Sequence, residues 1–292
     1  MERFVIYAIL ITTGLCFGSF VGALTWRIRA RQLAQDKSEK EYYDKNEYRI
    51  LKKLTKADVL NDRSQCLHCE YQLQWYDLIP LFSWLSLKGR CRSCHQKIGS
   101  FEPIIELSMM AFFVISYAFW PYALTNILEI SRFIAWIISG IIFGILASYD
   151  AKWFLLPDRF NYYLICLGVI VSGLVIFGSQ DVLSSIFSIA GSVFILSGFY
   201  LLLYLVSKGR WIGLGDIKLG LGLALLLADW RLAFIALFAA NMVGTLFVIP
   251  GMITGKIKRT QHVPFGPFLI IGTIIAQITG IYIINMYMSI LV

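Results

Sequence analysis

The sequence predicts an all-α, multi-pass membrane protein with about eight transmembrane helices and a small zinc-ribbon-like module between the first two. Hydrophobic residues make up 58% of the 292 residues and charged residues only 15%, whereas about a quarter of a typical soluble domain is charged. Apolar runs of roughly 20 residues recur, the length that crosses ~30 Å of hydrocarbon. Two pairs of cysteines interrupt this pattern in a polar stretch near the N-terminus.

The apolar runs define the helices in order. The first run lacks the small-residue cleavage site of a secretory signal, so we interpret it as a retained helix. The sixth run, LGLGLALLLA, is short and rich in glycine, which favours a helix that is tilted, partly inserted or packed within the bundle. The predicted spans are 4–25, 103–121, 130–149, 161–178, 183–206, 216–228, 231–252 and 265–290.

Basic residues mark one side of the membrane. Of the 26 Lys and Arg residues, 23 lie in alternate connections, at 26–103, 151–160, 207–218 and 253–264. The positive-inside rule assigns these connections to the cytoplasm, with both termini outside. The net charge of +8 is therefore mostly a topology signal, and no nucleic-acid partner is needed to explain it.

Three parts follow from this pattern: a first transmembrane helix at 1–25, a cytoplasmic zinc-binding segment at 26–102 and a helical bundle at 103–292. Within the middle part, residues 35–63 mix charges of both signs and carry a weak apolar face. The pattern predicts a surface helix, and a solvated linker near lipid headgroups fits it equally well. The apolar face consists of Ile50, Leu51, Leu54, Val59 and Leu60.

Four of the six cysteines form two C-x2-C pairs, CLHC at 66–69 and CRSC at 91–94. Their separation is close to that of a zinc ribbon, which holds four thiolates around a tetrahedral ion. Because disulfides rarely persist in the cytoplasm, a structural zinc site is favoured over redox-active or idle thiols. The expected ligands are Cys66, Cys69, Cys91 and Cys94.

The other cysteines and the histidines next to the pairs do not require a metal site to explain them. His68 and His95 are either alternative ligands or polar neighbours, and Cys16 and Cys166 lie alone in predicted spans as small apolar fillers. The intervening WYDLIPLFSWLSLKGR is too apolar for a plain exposed loop, so it either packs on the zinc module or lies against the membrane. A metal would support a segment too small for a large core.

Two aspartates lie where predicted spans reach the cytoplasmic side. Asp150 ends the third span in ILASYDAKWFLLPDRF, and Asp216 begins the sixth in IGLGDIKLG. Facing carboxylates share one proton, which supplies a base to activate water and an acid to protonate a leaving amine. Spacing alone leaves open a helix cap or an ion pair with Lys152 or Lys218, and Asp158 competes with Asp150 as the partner.

Small residues and a proline suit that chemistry. Gly213 and Gly215 leave room for a substrate backbone beside Asp216, whose position at a helix start favours its anionic form. Pro157 breaks the helix after Asp150 and opens the local structure towards water.

Several motifs, in order, produce a family resemblance. They are FGSFVGALTWRI, the paired cysteines around IPLFSWLSLKGRCRSC, PIIEL, D-x6-PD and GLGDIKL. Over nearly the whole chain they resemble the type IV prepilin peptidases, bifunctional leader peptidases and N-methyltransferases. The resemblance implies an intramembrane aspartic protease that cuts the basic leader from pilin and pseudopilin precursors at the cytoplasmic face of a bacterial inner membrane. The family's catalytic pair falls on Asp150 and Asp216, and its zinc ligands fall on the four paired cysteines.

The resemblance also implies methylation of the new N-terminus from S-adenosylmethionine, an activity associated with the N-terminal half. This chain reads GSFVGAL where the family typically reads GSFLNVV, which leaves Gly22 where asparagine is usual. A peptidase without methyl transfer is therefore the alternative. Glu102 and Glu106 lie at the start of the second span, where a basic leader or new amino group would meet them, or Glu106 pairs with a nearby Arg or Lys.

Two other function classes explain parts of the sequence. A proton-coupled transporter would use intramembrane carboxylates as a relay, but it leaves the cysteine pairs and the GLGD glycines unexplained. A scaffold or sensor would use the zinc module to recruit a partner. A single Asp→Asn change separates an enzyme from a scaffold, because it abolishes turnover by an enzyme and leaves a scaffold's binding intact.

Overall fold

The computed structural model describes residues 2–55, 63–255 and 263–291, which form two compact units, Met1–Val114 and Ile115–Val292. Within the described residues the chain is helical and contains no strand, only two isolated antiparallel bridges. The helices are α1 Glu2–Ser38, α2 Lys45–Leu51, α3 Phe82–Ser86, α4 Phe101–Ala118, α5 Ile127–Trp153, α6 Asp158–Gly178, α7 Val182–Val193, α8 Phe199–Ser207, α9 Leu214–Leu227, α10 Trp230–Ile253 and α11 Gly266–Leu291. Short 3-10 helices cover Lys52–Thr55 and Trp75–Leu78, and a π-helical turn, Phe194–Gly198, joins α7 to α8.

Seven helices in the described part of the chain are long and apolar enough to cross a membrane, with α7, the π turn and α8 acting as one. This confirms the multi-pass, all-α prediction. The predicted eighth member, the sixth span at 216–228, is α9, which has only 14 residues. At 1.5 Å per residue it is about 21 Å long, shorter than a bilayer core of ~30 Å. The basic residues predicted at 253–264 lie outside the described residues.

In the first unit, α1 and α4 pack closely through glycine. A Cβ on Gly14 would lie 2.7 Å from the Cα of Met110, and one on Gly18 would lie 2.4 Å from the Cα of Glu106. Small residues of this kind let two helix backbones approach within a membrane. The glycines of the first span therefore fix the start of α4, where Glu106 lies.

The helix α1 continues well beyond its predicted end at residue 25. Its polar extension is held by packing, because Ala30 and Leu33 are buried against Leu51 and Leu54. The predicted surface helix at 35–63 is thus the end of α1, then α2 and a 3-10 turn, with Ile50 exposed. Val59 and Leu60 lie outside the described residues.

In the second unit, the short helix α9 is surrounded by protein. A Cβ on Gly220 would lie 2.3 Å from the carbonyl oxygen of Leu196, and one on Gly168 of α6 would lie 2.7 Å from the Cβ of Leu225. The hydroxyl of Ser172 also donates to the Leu225 carbonyl at 2.7 Å. This close packing accompanies burial of seven of the 14 residues of α9 and fixes the helix that begins in the GLGD motif.

Candidate active site and cysteine centre

The four paired cysteines form one cluster in the first unit. Their Sγ atoms all lie within 4.8 Å of one another, with Cys66 and Cys94 3.9 Å apart and Cys69 and Cys91 3.8 Å apart. Ligands ~2.3 Å from a tetrahedral zinc ion are separated by about 3.8 Å, so the cluster fits that ion. Within the described residues the histidines flanking the pairs are not part of the cluster.

Two equivalent turns build this cluster. The N–H groups of Cys66 and Cys91 each donate a 2.9 Å hydrogen bond to the carbonyl oxygen five residues further on. The residue after each second cysteine, Glu70 or His95, adopts a left-handed φ of 62° or 56°. The sequence repeat is therefore a repeat of backbone geometry, which turns both cysteine pairs towards one point.

The thiols of the cluster differ in acidity. Burial raises the pKa of the Cys66 thiol to about 12, whereas a backbone hydrogen bond from Tyr71 lowers the pKa of the Cys69 thiol to about 7. A bound metal requires thiolates, so binding has to displace the protons of the less acidic members.

The apolar stretch between the cysteine pairs divides into packed and exposed residues. Trp84 packs on Gly89, and its indole N–H donates to the Gly99 carbonyl at 3.1 Å. Trp75, Phe82 and Leu85 are exposed. Packing on the module, one of the two expectations for this stretch, therefore holds for Trp84.

Asp150 lies in the last turn of α5 and is only 5% exposed. Its Oδ2 accepts a 2.9 Å hydrogen bond from the N–H of Gly266, the first residue of α11. A Cβ at this position would lie 2.8 Å from Oδ2, so only glycine permits the contact without a shift. The carboxylate thereby faces the N-terminus of α11, where the helix dipole favours negative charge.

Asp216 is the third residue of α9, as expected for a residue at a helix start. Its Oδ2 accepts a 3.3 Å hydrogen bond from the N–H of Gly213, the residue that precedes the helix. A Cβ on Gly215 would lie 3.0 Å from the Cβ of Leu156, so the GLGD turn packs tightly on the turn after α5. Asn161, fully buried in α6, donates to the Gly215 carbonyl at 3.5 Å.

The structure brings Asp150 and Asp216 together, close enough that their carboxylates interact electrostatically. Asp158, the competing partner, instead forms a 2.8 Å ion pair with Lys218. Two carboxylates held in a mostly buried site favour a state with one shared proton. Such a pair supplies a general base and a general acid at one place.

Two residues beside these carboxylates were not anticipated from the sequence. Gly266 lies in VPFGPF, where two prolines flanking a glycine before an apolar run are the only signal. Tyr200, in the apolar FYLLLYLV, is 3% exposed and interacts electrostatically with Asp216. Its ring centroid lies 5.5 Å from that of Phe265. No sequence signal distinguishes Tyr200 from other aromatic residues of the bundle.

The acidic residues at the start of α4 are also held in place. Glu106 is 6% exposed and accepts a 2.8 Å hydrogen bond from the N–H of Leu81, and Ser19 hydrogen-bonds to the same carboxylate. Glu102 accepts a 3.0 Å hydrogen bond from the indole N–H of Trp26. Glu106 thus connects the loop between the cysteine pairs to the α1 and α4 helices.

Two family models match the chain along most of its length. The model of the bacterial peptidase A24 N-terminal domain matches residues 12–120, and that of the type IV leader peptidase family matches residues 137–249. The first match contains all four paired cysteines, and the second contains both aspartates.

Curated relatives align over most of both chains. The prepilin leader peptidase/N-methyltransferase of Legionella pneumophila is 29% identical over 276 residues, which cover 94% of this chain and 92% of that protein. The type 4 prepilin-like proteins leader peptide-processing enzyme of Escherichia coli O78:H11 is 29% identical over 89% of each chain.

The prepilin leader peptidase/N-methyltransferase of Dichelobacter nodosus is 29% identical over 88% of this chain and 86% of that protein. No solved structure matches the chain significantly. The two family models and these near full-length alignments agree with the motif order in the sequence, and the chain is therefore a member of the type IV leader peptidase family.

Proposed function

We propose that this chain is a prepilin leader peptidase that removes the basic leader of pilin and pseudopilin precursors and then methylates the new N-terminus. One observation carries the peptidase assignment. Asp150 and Asp216 come from helices far apart in the sequence, yet their carboxylates interact, and each accepts a hydrogen bond from a glycine N–H. An aspartic peptidase needs such a pair beside backbone that a substrate can approach.

The two aspartates divide the work of hydrolysis. The ionised carboxylate takes a proton from a water molecule, whose oxygen attacks the scissile carbonyl carbon. The protonated partner then gives its proton to the amide nitrogen as the C–N bond breaks, which releases the leader and a new amino terminus. The apolar helix of the precursor would lie beside the bundle in the lipid bilayer and bring the scissile bond to the carboxylates.

We assign a structural zinc ion to Cys66, Cys69, Cys91 and Cys94. The spacing of their Sγ atoms and the two matching turns support a closed tetrahedral site. A metal held by four protein ligands has no open position for substrate, so its contribution is to the fold of segment 26–102.

Methyl transfer rests on the relatives, which are named N-methyltransferases. When bound, S-adenosylmethionine supplies the methyl group, and we associate this activity with the N-terminal part of the chain. Gly22 faces Glu102, and a Cβ there would lie 3.7 Å from the Glu102 Cγ, an ordinary contact. A Cβ is therefore tolerated at the position where the family usually has asparagine.

The basic residues of 26–103 and 151–160 support a cytoplasmic position for the cysteine centre and the carboxylates. The bacterial relatives support an inner-membrane location. The relatives are named as leader-processing enzymes, which does not favour the hypothesis of a proton-coupled transporter. No nucleic-acid partner is proposed.

The assignment is tested with the purified full-length chain in detergent, a recombinant prepilin and labelled S-adenosylmethionine, followed by mass spectrometry. We expect loss of the leader and then a further methyl mass on the mature pilin. Cleavage without the methyl mass would establish the peptidase alone. In that case the Gly22→Asn variant tests whether the missing carboxamide restores methylation. Intact precursor throughout would overturn the assignment.

A further inference from the structure

The hydroxyl of Tyr200 is a buried polar group that the two aspartates leave unexplained. The residue is 3% exposed, and among the described residues its oxygen has no hydrogen-bond partner. Buried hydroxyls are nearly always hydrogen-bonded, because burial without a partner is unfavourable. A donor left open among the described residues is available to water or to a bound substrate.

Tyr200 lies near Asp216 and packs on the segment that holds Asp150. It interacts electrostatically with Asp216, and its ring packs on Phe265, the residue before the glycine that binds Asp150. The phenol ring therefore contacts the segment whose next residue binds Asp150.

A π-helical turn precedes Tyr200 and sets the orientation of the helix that carries it. This turn ends two residues before Tyr200, and turns of this kind shift the register of a helix and are frequent at functional sites. The turn packs directly on α9, because the hydroxyl of Ser197 donates to the Ile217 carbonyl at 3.0 Å and the Leu196 carbonyl contacts Gly220. The helix that carries Tyr200 is therefore fixed against the helix that carries Asp216.

We propose that Tyr200 is a further catalytic residue of the peptidase, whose hydroxyl donates a hydrogen bond to the scissile carbonyl oxygen. This inference rests on the proposed function. When water attacks the carbonyl carbon, the C=O electron pair moves onto that oxygen, and the phenol stabilises the developing charge without giving up its proton. The water proton goes to the ionised carboxylate, and the departing nitrogen takes its proton from the protonated one. Donors aimed at such an oxygen stabilise the transition state more than the bound substrate.

The test replaces only the hydroxyl. For Tyr200→Phe we expect kcat for prepilin cleavage to fall about 10²-fold with KM little changed, as for removal of one donor to an oxyanion. Tyr204→Phe is the matched control, since this half-buried tyrosine lies one turn further along α8 with its ring on Gly209. The control is expected to keep the kcat of the wild type.

Thermal unfolding of each variant in detergent separates chemistry from folding, and an unchanged unfolding temperature is expected for Tyr200→Phe. As a second variant, 3-fluorotyrosine at position 200 keeps the donor and is expected to cleave within about twofold of the wild-type kcat, because the hydrogen bond is retained. A hundredfold loss with fluorotyrosine would overturn the proposal, since it would show a demand for ring shape rather than for the donor.

Two further outcomes would overturn it. One is wild-type kcat in Tyr200→Phe, and the other is a raised KM with unchanged kcat. If wild type cleaves and the Asp150→Asn variant does not, these results concern Tyr200 alone. If wild type leaves the precursor intact, the proposed function fails and the role of Tyr200 fails with it.

Discussion

The two units bring their reactive groups together in different ways. In the first unit, two short turns of the same design place four cysteines at one point, and few other buried residues surround them. In the second, two aspartates meet through close glycine contacts between helices. Gly266 of α11 lies against the Asp150 carboxylate of α5, and glycines pack α9, which carries Asp216, against α6 and the π turn. A local motif thus suffices for the cysteines, whereas the aspartates depend on the tertiary packing of the whole bundle.

The two centres are therefore expected to depend on different stabilising interactions. The proposed zinc ion would supply the attraction that a small module lacks, so the stability of the cysteine centre is expected to depend on zinc more than on packing. The carboxylate pair is expected to respond to a single added methyl group at a helix contact, because transmembrane helices associate through close backbone approach.

The largest expected effect is loss of zinc. Cys91 is 2% exposed, and we expect Cys91→Ser to remove the bound ion and open the segment around residues 63–100 to proteases. Structural zinc contributes about 10–16 kcal/mol of binding free energy in small zinc peptides, so losing one ligand is severe. Metal analysis and limited proteolysis measure the change. Cys166→Ser, which alters a lone cysteine in α6, is the control and should keep its zinc. Full zinc content in Cys91→Ser would refute the four-cysteine site.

A methyl group added to α9 is expected to have the next largest effect. In Gly220→Ala the new Cβ would meet the Leu196 carbonyl oxygen at 2.3 Å, a backbone atom that cannot move cheaply. We expect a loss of about 1–3 kcal/mol in unfolding free energy and slower cleavage, because α9 must shift with Asp216.

The matched control for that change is Gly173→Ala in α6, where a Cβ would have no atom within 4 Å. It is expected to change stability by less than about 1 kcal/mol, since alanine favours helix over glycine. Equal effects of the two substitutions on thermal unfolding would show that α9 is not held by close packing.

Neutralising Glu106 is expected to affect function more than folding. Glutamine keeps an oxygen that can accept the Leu81 N–H, so Glu106→Gln should unfold near the wild-type temperature. We expect the rate of processing or of methylation to fall about tenfold. This factor corresponds to the difference in free energy between a hydrogen bond to a charged group and one to a neutral group. Glu102→Gln provides a comparison on the same helix. Normal processing and normal methylation in Glu106→Gln would exclude a functional role.

The smallest effect is expected from Asp158→Asn. The carboxylate pairs with Lys218, but both side chains are substantially exposed, at 56% and 30%. Such surface pairs contribute less than about 1 kcal/mol, so stability should hardly change in a thermal unfolding experiment. Cleavage should also remain. Loss of cleavage would instead identify Asp158 as a member of the catalytic pair.

Hydropathy predicts the long helices well, because a bilayer requires apolar length wherever a helix crosses. The seventh predicted span, 231–252, is α10 at Trp230–Ile253. The polar end of α1 was missed, since residues 26–38 become helical through contacts with Leu51 and Leu54 that no local window contains.

The residues of the candidate site could be predicted where they belong to short sequence motifs. The C-x2-C pairs, the D-x6-PD motif and the GLGD turn name six residues, and the structure brings the cysteines together and the aspartates together. Gly266 and Tyr200 were missed because tertiary contacts bring them to the aspartates. Gly266 donates a backbone N–H to Asp150, and Tyr200 packs on Phe265 and interacts electrostatically with Asp216.

The most direct test of the aspartate pair is prepilin cleavage by Asp150→Asn, Asp216→Asn and the double variant, each checked for wild-type thermal unfolding. We expect each single change to reduce cleavage by at least about 10⁴-fold and the double change to cost no more, because the two groups act as one unit. Asp158→Asn should cleave normally in the same assay. Cleavage that survives either single substitution, or losses that simply add, would contradict a catalytic pair formed by Asp150 and Asp216.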